Sequence, residues 1–187
     1  MFERLAHGGQ SPRAMIVACC DSRVDPTMIF NAEPGELFVL RNVANLVPPY
    51  QPDLAFHATS AALEFAVRVL EVTDLIVMGH AMCGGIGVLL QGAPPGAGDF
   101  LLPWMRIAEP AKRRVLARGG ADPQTDCEQE SVRLSLENLL TFPWVAERVA
   151  AGKLKLTGSV FDIRSGVLEL LGADDRFAAV DSRLRAR

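Results

Sequence analysis

No apolar run in this chain approaches the roughly 18 residues needed to cross a bilayer, so no membrane partner is expected from it. Missing too is any basic run ahead of the arginines scattered at the C-terminus. With a formal net charge of −3, there is no electrostatic case for a nucleic-acid partner. Those last arginines, Arg183, Arg185 and Arg187, read as a solvated tail. The opening Met1-Phe2-Glu3-Arg4 mixes acid and base and lacks the form of a signal peptide. No internal repeat or low-complexity linker divides the 187 residues, so a single domain over 1–187 with one packed core is expected. Cysteines are few, four in all. Adjacent Cys19 and Cys20 with distant Cys83 and Cys127 do not suit a disulfide framework, so a reducing, cytoplasmic setting is expected.

What is present is concentrated in two stretches. Ala14-Met15-Ile16-Val17-Ala18 is an apolar run that ends abruptly in Cys19-Cys20-Asp21-Ser22-Arg23. Asp74-Leu75-Ile76-Val77-Met78-Gly79 repeats the arrangement and delivers His80, Cys83, Gly84 and Gly85. Strands that carry reactive groups at their carboxyl ends are how open α/β sheets build sites. Two thiols and one imidazole make a three-ligand Zn²⁺ site with a position left for water, so Cys19, His80 and Cys83 are the expected ligands. A lone cysteine at a strand end is usually a small buried hydrophobe. His-x-x-Cys followed by two glycines tips the weighing toward metal, the glycines letting the chain wrap the ion. Cys20, on the opposite side of the strand, and Cys127 are expected in the core.

The remaining pattern fits helices around a mainly parallel central sheet, an α/β fold. Leu37-Phe38-Val39-Leu40 reads as a strand buried on both faces, and Leu154–Asp162, Val167–Leu171 and Phe177–Val180 as later strands. Turn residues at His7 to Pro12 precede the first strand. Helices are predicted at Thr27–Phe30, His57–Leu70, Gly84–Leu90, Trp104–Arg118 and from Pro143 to Gly152. Another is predicted to open on a capping box, Thr125-x-x-Glu128, and to run to Leu140. Within the fourth of these, Lys112, Arg113, Arg114 and Arg118 read as a solvated face.

Asp21 and Arg23 could be only a surface ion pair of little worth. So close to a metal, Asp21 can instead ligate the ion or accept a hydrogen bond from its water, and the planar fork of Arg23 can hold Asp21 off the metal. The three stretches Cys19-Cys20-Asp21-Ser22-Arg23, Arg41-Asn42-Val43-Ala44-Asn45 and Gly79-His80-Ala81-Met82-Cys83-Gly84-Gly85 together resemble the β-class carbonic anhydrases. Fainter agreement extends to Phe161-Asp162-Ile163 and Gly166-Val167-Leu168. Gln10 resembles the substrate-pocket glutamine of the plant-type members.

The resemblance implies reversible hydration of carbon dioxide to bicarbonate and a proton, on Zn²⁺ held by Cys19, His80 and Cys83. It makes Asp21 and Arg23 the catalytic dyad, with Asp21 a possible fourth ligand in a closed state. It lines the substrate pocket with Gln10, Phe38, Val43, Phe65 and Gly84, Phe65 standing where many relatives carry tyrosine. It further implies a homodimer or higher homo-oligomer whose two-fold interface holds the pocket. Relatives have a longer N-terminal helical arm, so the arm here is expected to be short or truncated. Two rivals remain at this level: attack on a related heterocumulene such as carbon disulfide, and a structural zinc module closed by Asp21 as permanent ligand.

Overall fold

The computed structural model describes residues 2–180, so the terminal arginines lie outside the described residues. A short helix α1 (Phe2–Gly8) precedes β1 (Ala14–Cys19), α2 (Pro26–Ile29) and β2 (Leu37–Asn42). A 3-10 turn (Val43–Asn45) leads to α3 (Ala58–Glu64), which runs on as a π-helical segment, Phe65–Val69. Then come β3 (Asp74–His80), α4 (Gly84–Gln91), α5 (Leu101–Met105) and α6 (Glu109–Arg118). Helices α7 (Pro123–Leu139) and α8 (Pro143–Ala150) are followed by β4 (Lys155–Asp162), β5 (Val167–Leu171) and β6 (Phe177–Ala179).

These strands form one six-stranded sheet in the order β2-β1-β3-β4-β5-β6. The pairings β1 with β2, β1 with β3 and β3 with β4 are parallel, while β5 and β6 add antiparallel edges. The expected α/β class, a mainly parallel sheet flanked by helices, is therefore the fold. Strand β1 is buried at every residue because it is flanked by two strands and covered on both faces. Its alternate side chains divide accordingly: Met15 and Val17 join Val132 and Leu139 of α7 and Leu63 and Val67. Ile16 and Ala18 face the other way, onto Met78 and Leu168. A third cluster joins Cys19 and Cys83 to Ile86 and Leu89 of α4, Met105 and the buried Cys127.

Several expectations are corrected. Strand β2 is not buried on both faces; it forms the sheet edge, half-buried, with Val39 exposed. Apolar content alone does not say which strand is central. His7 and Gly8 end α1, and the turn comes at Gly9, in a positive-φ conformation that glycine adopts without strain. Helix α7 opens two residues before Thr125: Asp122 is its N-cap, accepting from the Thr125 amide and hydroxyl, and Pro123 takes the first turn. The basic residues of α6 are not merely solvated. Arg114 and Arg118 pair with the buried Glu130 of α7, Arg114 also with Glu137, and Lys112 donates to the Leu89 carbonyl. Along α3 and its π-helical continuation, Glu64 and Arg68 pair at the i,i+4 spacing, 2.8 Å apart.

Candidate metal centre

The ends of β1 and β3 are adjacent because the two strands pair in parallel register, Ala18 opposite Met78. Their carboxyl ends therefore emerge side by side, and Cys19, His80 and Cys83 converge with all donor atoms within 4.8 Å of one another. All three are buried. His80 donates from Nδ1 to the Ala81 carbonyl at 2.8 Å, which fixes the tautomer that leaves a lone pair on Nε2. That buried Nε2 has no hydrogen-bond partner among the described residues. A buried polar atom without a partner is costly unless a ligand takes it, and two thiols with one imidazole are a zinc donor set.

The two sulfurs lie close enough to shift each other's ionisation. Their mutual hydrogen bond holds the Cys19 thiol down to about 4, against the opposing effect of burial. The amides of Asp21 and Ala44 add to the lowering. The same hydrogen bond and burial push Cys83 up, while the Ile86 and Gly85 amides at the start of α4 pull toward thiolate. Cys19 is thus the sulfur more readily ionised, and thiolate is the form a metal takes.

The loop between Cys19 and Val24 is organised by two arginines. Arg23 donates to both oxygens of Asp21, Nε to Oδ1 at 2.9 Å and Nη2 to Oδ2 at 2.7 Å, and its amide adds a bond to Oδ1. These bonds hold the Asp21 carboxyl well below the usual carboxylate range. Asp21 is thereby turned onto Arg23 and is not part of the donor cluster. Arg23 also reaches across to the Met82 carbonyl at 3.1 Å, tying the first loop to the second. Arg41, on β2, donates to the carbonyls of Cys19, Asp21 and Val24. No role was assigned to it from sequence, although it opens one of the three quoted stretches.

The turn after β2 explains that stretch. The Asn42 side chain accepts from the Leu46 amide and donates to its carbonyl, closing the turn. Ala44 takes φ 62 inside it, and its amide supports the Cys19 sulfur. The expected wrapping glycines are corrected here. The left-handed residue between His80 and Cys83 is Met82, φ 57, while Gly84 and Gly85 form the first turn of α4. A Cβ on Gly85 would lie 2.8 Å from Val43 and 2.9 Å from Ala44, so what this position requires is close approach. Cys20 is a further correction: it is exposed, just past the end of β1, where nothing covers it.

The predicted pocket residues fall into two groups. Val43 and Gly84 lie beside the cluster, on the turn after β2 and at the start of α4. Gln10 is exposed before β1, with about 17 Å of strand between Ala14 and Cys19. Phe38 sits opposite Met15, at the start of β2, about 13 Å of strand before Asn42. Phe65, 42% exposed, stacks on Phe38 with centroids 5.9 Å apart. Within one chain, these three are not brought to the donor cluster.

Sequence reasoning missed a second layer. Glu128, expected as a helix cap, is buried on α7 and accepts from the Cys83 amide at 2.8 Å. Burial pushes its carboxyl above the ordinary glutamate value. Gln124, one turn earlier, donates to the Cys83 carbonyl at 3.0 Å and to the same Glu128 oxygen at 2.6 Å. An i, i+4 pair of Gln and Glu facing a metal loop was the available signal.

The comparisons agree with this geometry. The family described as carbonic anhydrase matches residues 14–168. Beta carbonic anhydrase 3 of Arabidopsis thaliana is 40% identical over 173 residues, covering 88% of this chain and 66% of that protein, so the chain spans just under two thirds of its length. Among solved structures, the beta-carbonic anhydrase CcaA superposes with a TM-score of 0.88 at 36% identity, over 97% of this chain and 83% of that one. A tetrameric beta-carbonic anhydrase from Sordaria macrospora gives 0.80 at 30% identity, over 92% and 86%. By matched family, sequence identity and fold alike, the chain belongs to the β-class carbonic anhydrases, on their plant-type side.

Proposed function

We propose that this chain catalyses the reversible hydration of carbon dioxide to bicarbonate and a proton, with Zn²⁺ held by Cys19, His80 and Cys83. The observation that carries the reading is the meeting of three buried donors from two strand ends with an Asp21 carboxylate already occupied by Arg23. A structural zinc site is closed by a fourth protein ligand, whereas here the nearest carboxylate is engaged elsewhere, the open form of the dyad. When bound, the metal supplies the Lewis acidity that makes water a nucleophile near neutral pH.

Asp21 and Arg23 supply the rest. Ionised and pinned by Arg23, Asp21 accepts a hydrogen bond from the attacking water and directs the remaining lone pair toward carbon dioxide. Val43 and Gly84 form the near wall of the pocket, one apolar and one without a side chain, suited to a small apolar substrate. Gln10, Phe38 and Phe65 serve the site of a second copy. Their separation from their own cluster, together with the exposure of Val39, Phe65 and Val69, supports an isologous homodimer or a higher assembly built on it. Phe65 brings no hydroxyl to that pocket. Four cysteines without a disulfide among the described residues, two of them needed as thiolates, fit a reducing cytoplasm.

The test is stopped-flow carbon dioxide hydration on purified, metal-quantified protein. About one zinc per chain is expected, as a single three-donor site requires, together with hydration far above the uncatalysed rate. His80→Ala should lose both. Zinc-loaded protein without hydration activity would overturn the reading.

A further inference from the structure

Two carboxylates are buried on α7, each 3% exposed, and they are satisfied differently. Glu130 is paired with Arg114, Arg118 and Arg133. Glu128 has no cationic partner within salt-bridge distance among the described residues; its recorded partners are the Cys83 amide and the Gln124 side chain. A buried carboxylate held only by neutral amides is expensive. Its bonds are aimed at one residue, Cys83, and at no other part of the loop.

Three backbone groups of the segment between His80 and Cys83 have partners that tie it down. The Ala81 amide donates to Phe161 of β4, the Ala81 carbonyl accepts from His80, and the Met82 carbonyl accepts from Arg23. Cys83 must aim its sulfur into the cluster while its neighbour Met82 holds a left-handed conformation, and its carbonyl already accepts from the Gly87 amide of α4 at 3.0 Å. Glu128 takes the amide and Gln124 the carbonyl, and the Gln124 nitrogen bridges to the same Glu128 oxygen. The peptide groups on both sides of the Cys83 Cα are thus clamped to a 17-residue helix packed on the sheet. With its φ and ψ held from outside, the Cα–Cβ bond of Cys83 keeps its direction toward the cluster, and only the side-chain torsion is left for the sulfur to set.

We propose that Glu128, braced by Gln124, is a positioning residue for the metal centre: it touches neither metal nor substrate and sets metal affinity by fixing the backbone of Cys83. The proposal rests on the zinc reading given above. A partner of this kind, behind a metal ligand, changes affinity by roughly 10–100-fold when removed. The hydrogen bonds require an acceptor at position 128 and do not require its charge, so glutamine there preserves the clamp and alanine destroys it.

The experiment measures zinc affinity by chelator competition, and the thermal unfolding of metal-free and metal-loaded protein, for the wild type, E128A, E128Q and Q124A. The cobalt-substituted proteins report sulfur ligation through their thiolate charge-transfer band. Expected are a 10–100-fold weaker zinc affinity and a perturbed band in E128A, a smaller loss in Q124A, and recovery to within a few-fold in E128Q. The rise in Tm on metal binding should shrink in E128A and return in E128Q. A merely structural glutamate would lower both melting temperatures together and leave affinity, band and Tm rise unchanged, which would overturn the proposal. E128Q as weak as E128A would overturn it as well. Should E128A not fold, Q124A and E128Q carry the same comparison. If the wild type itself binds no zinc, the fault lies with the reading of the metal centre.

Discussion

At the residue scale, the proposed reaction turns on Asp21, and the loop that holds it is tied down by Arg41. Because Arg23 keeps Asp21 ionised well below the usual carboxylate range, Asp21 does not titrate across the working pH of a neutral enzyme. On the proposed reading, the acid limb of the pH–rate profile is therefore expected to belong to the nucleophile. Asp21→Asn should retain zinc while kcat falls by about 10²-fold or more, the range of a lost proton-accepting group, and the acid limb should keep its midpoint. A limb that vanishes in Asp21→Asn would reassign it. The sign for stability follows from the same depression: the contribution of the Asp21–Arg23 pair is present above the ordinary aspartate range, about pH 4, and is lost as pH falls below it. Arg41→Met strips donors from three carbonyls in a half-buried loop. A loss of about 2 kcal/mol in urea unfolding is expected, the cost of leaving such acceptors unpaired. Arg41→Lys should recover only part of it, since an ammonium cannot reproduce the flat guanidinium fork.

Elements carry the site by their closeness, and α7 is the one that presses hardest on the sheet. A Cβ on Gly79 would lie 2.7 Å from Val132 Cγ2, and one on Gly158 of the neighbouring strand 3.0 Å from Val132 Cγ1. Gly79 of β3 pairs with Val160 and Gly158 of β4 with Val77, so the two glycines lie two register positions apart under Val132, and α7 can sit down far enough for Glu128 to reach Cys83. Gly79→Ala, one residue before the His80 ligand, should cost about 1–3 kcal/mol as an overpacked core does. The double variant Gly79→Ala with Val132→Ala should recover part of that, and calorimetry of the metal-free protein separates the packing cost from metal loss. Equal stability of Gly79→Ala and wild type would mean that the helix is free to lift.

For the whole molecule, the exposed apolar groups need a covering. Leu54 and Phe56 are fully exposed, and Val69 is 61% exposed on the helical segment that also carries Phe65. Val69→Asp, which places a charge where the second copy is expected to pack, should shift sedimentation from dimer to monomer. Hydration should fall with it, by about tenfold or more if Gln10 and Phe65 complete the other copy's pocket, since pocket groups out of position cost that much. A Val69→Asp monomer with full activity would show that each chain works alone.

The α/β class and the meeting of Cys19, His80 and Cys83 were both legible in the residues alone. Strand-then-ligand is a local pattern: a short β-branched apolar run such as Met15 to Ala18 reads as a strand, and the thiol that follows it emerges at its carboxyl end. His80 and Cys83, three residues apart after a second such run, were legible for the same reason. The tertiary structure alone decided what depends on distant neighbours. Which strand lies at the edge, and hence the half-exposed state of β2, follows from pairing order and not from composition. The direction in which Asp21 turns depends on a fork whose other hydrogen bond goes to Met82, fifty-nine residues away in the chain. Glu128 looked like a helix cap because Thr125 precedes it at the right spacing. Only the packing of α7 against the end of β3 buries it, because burial is a property of what lies opposite a helix face and not of the residues on it.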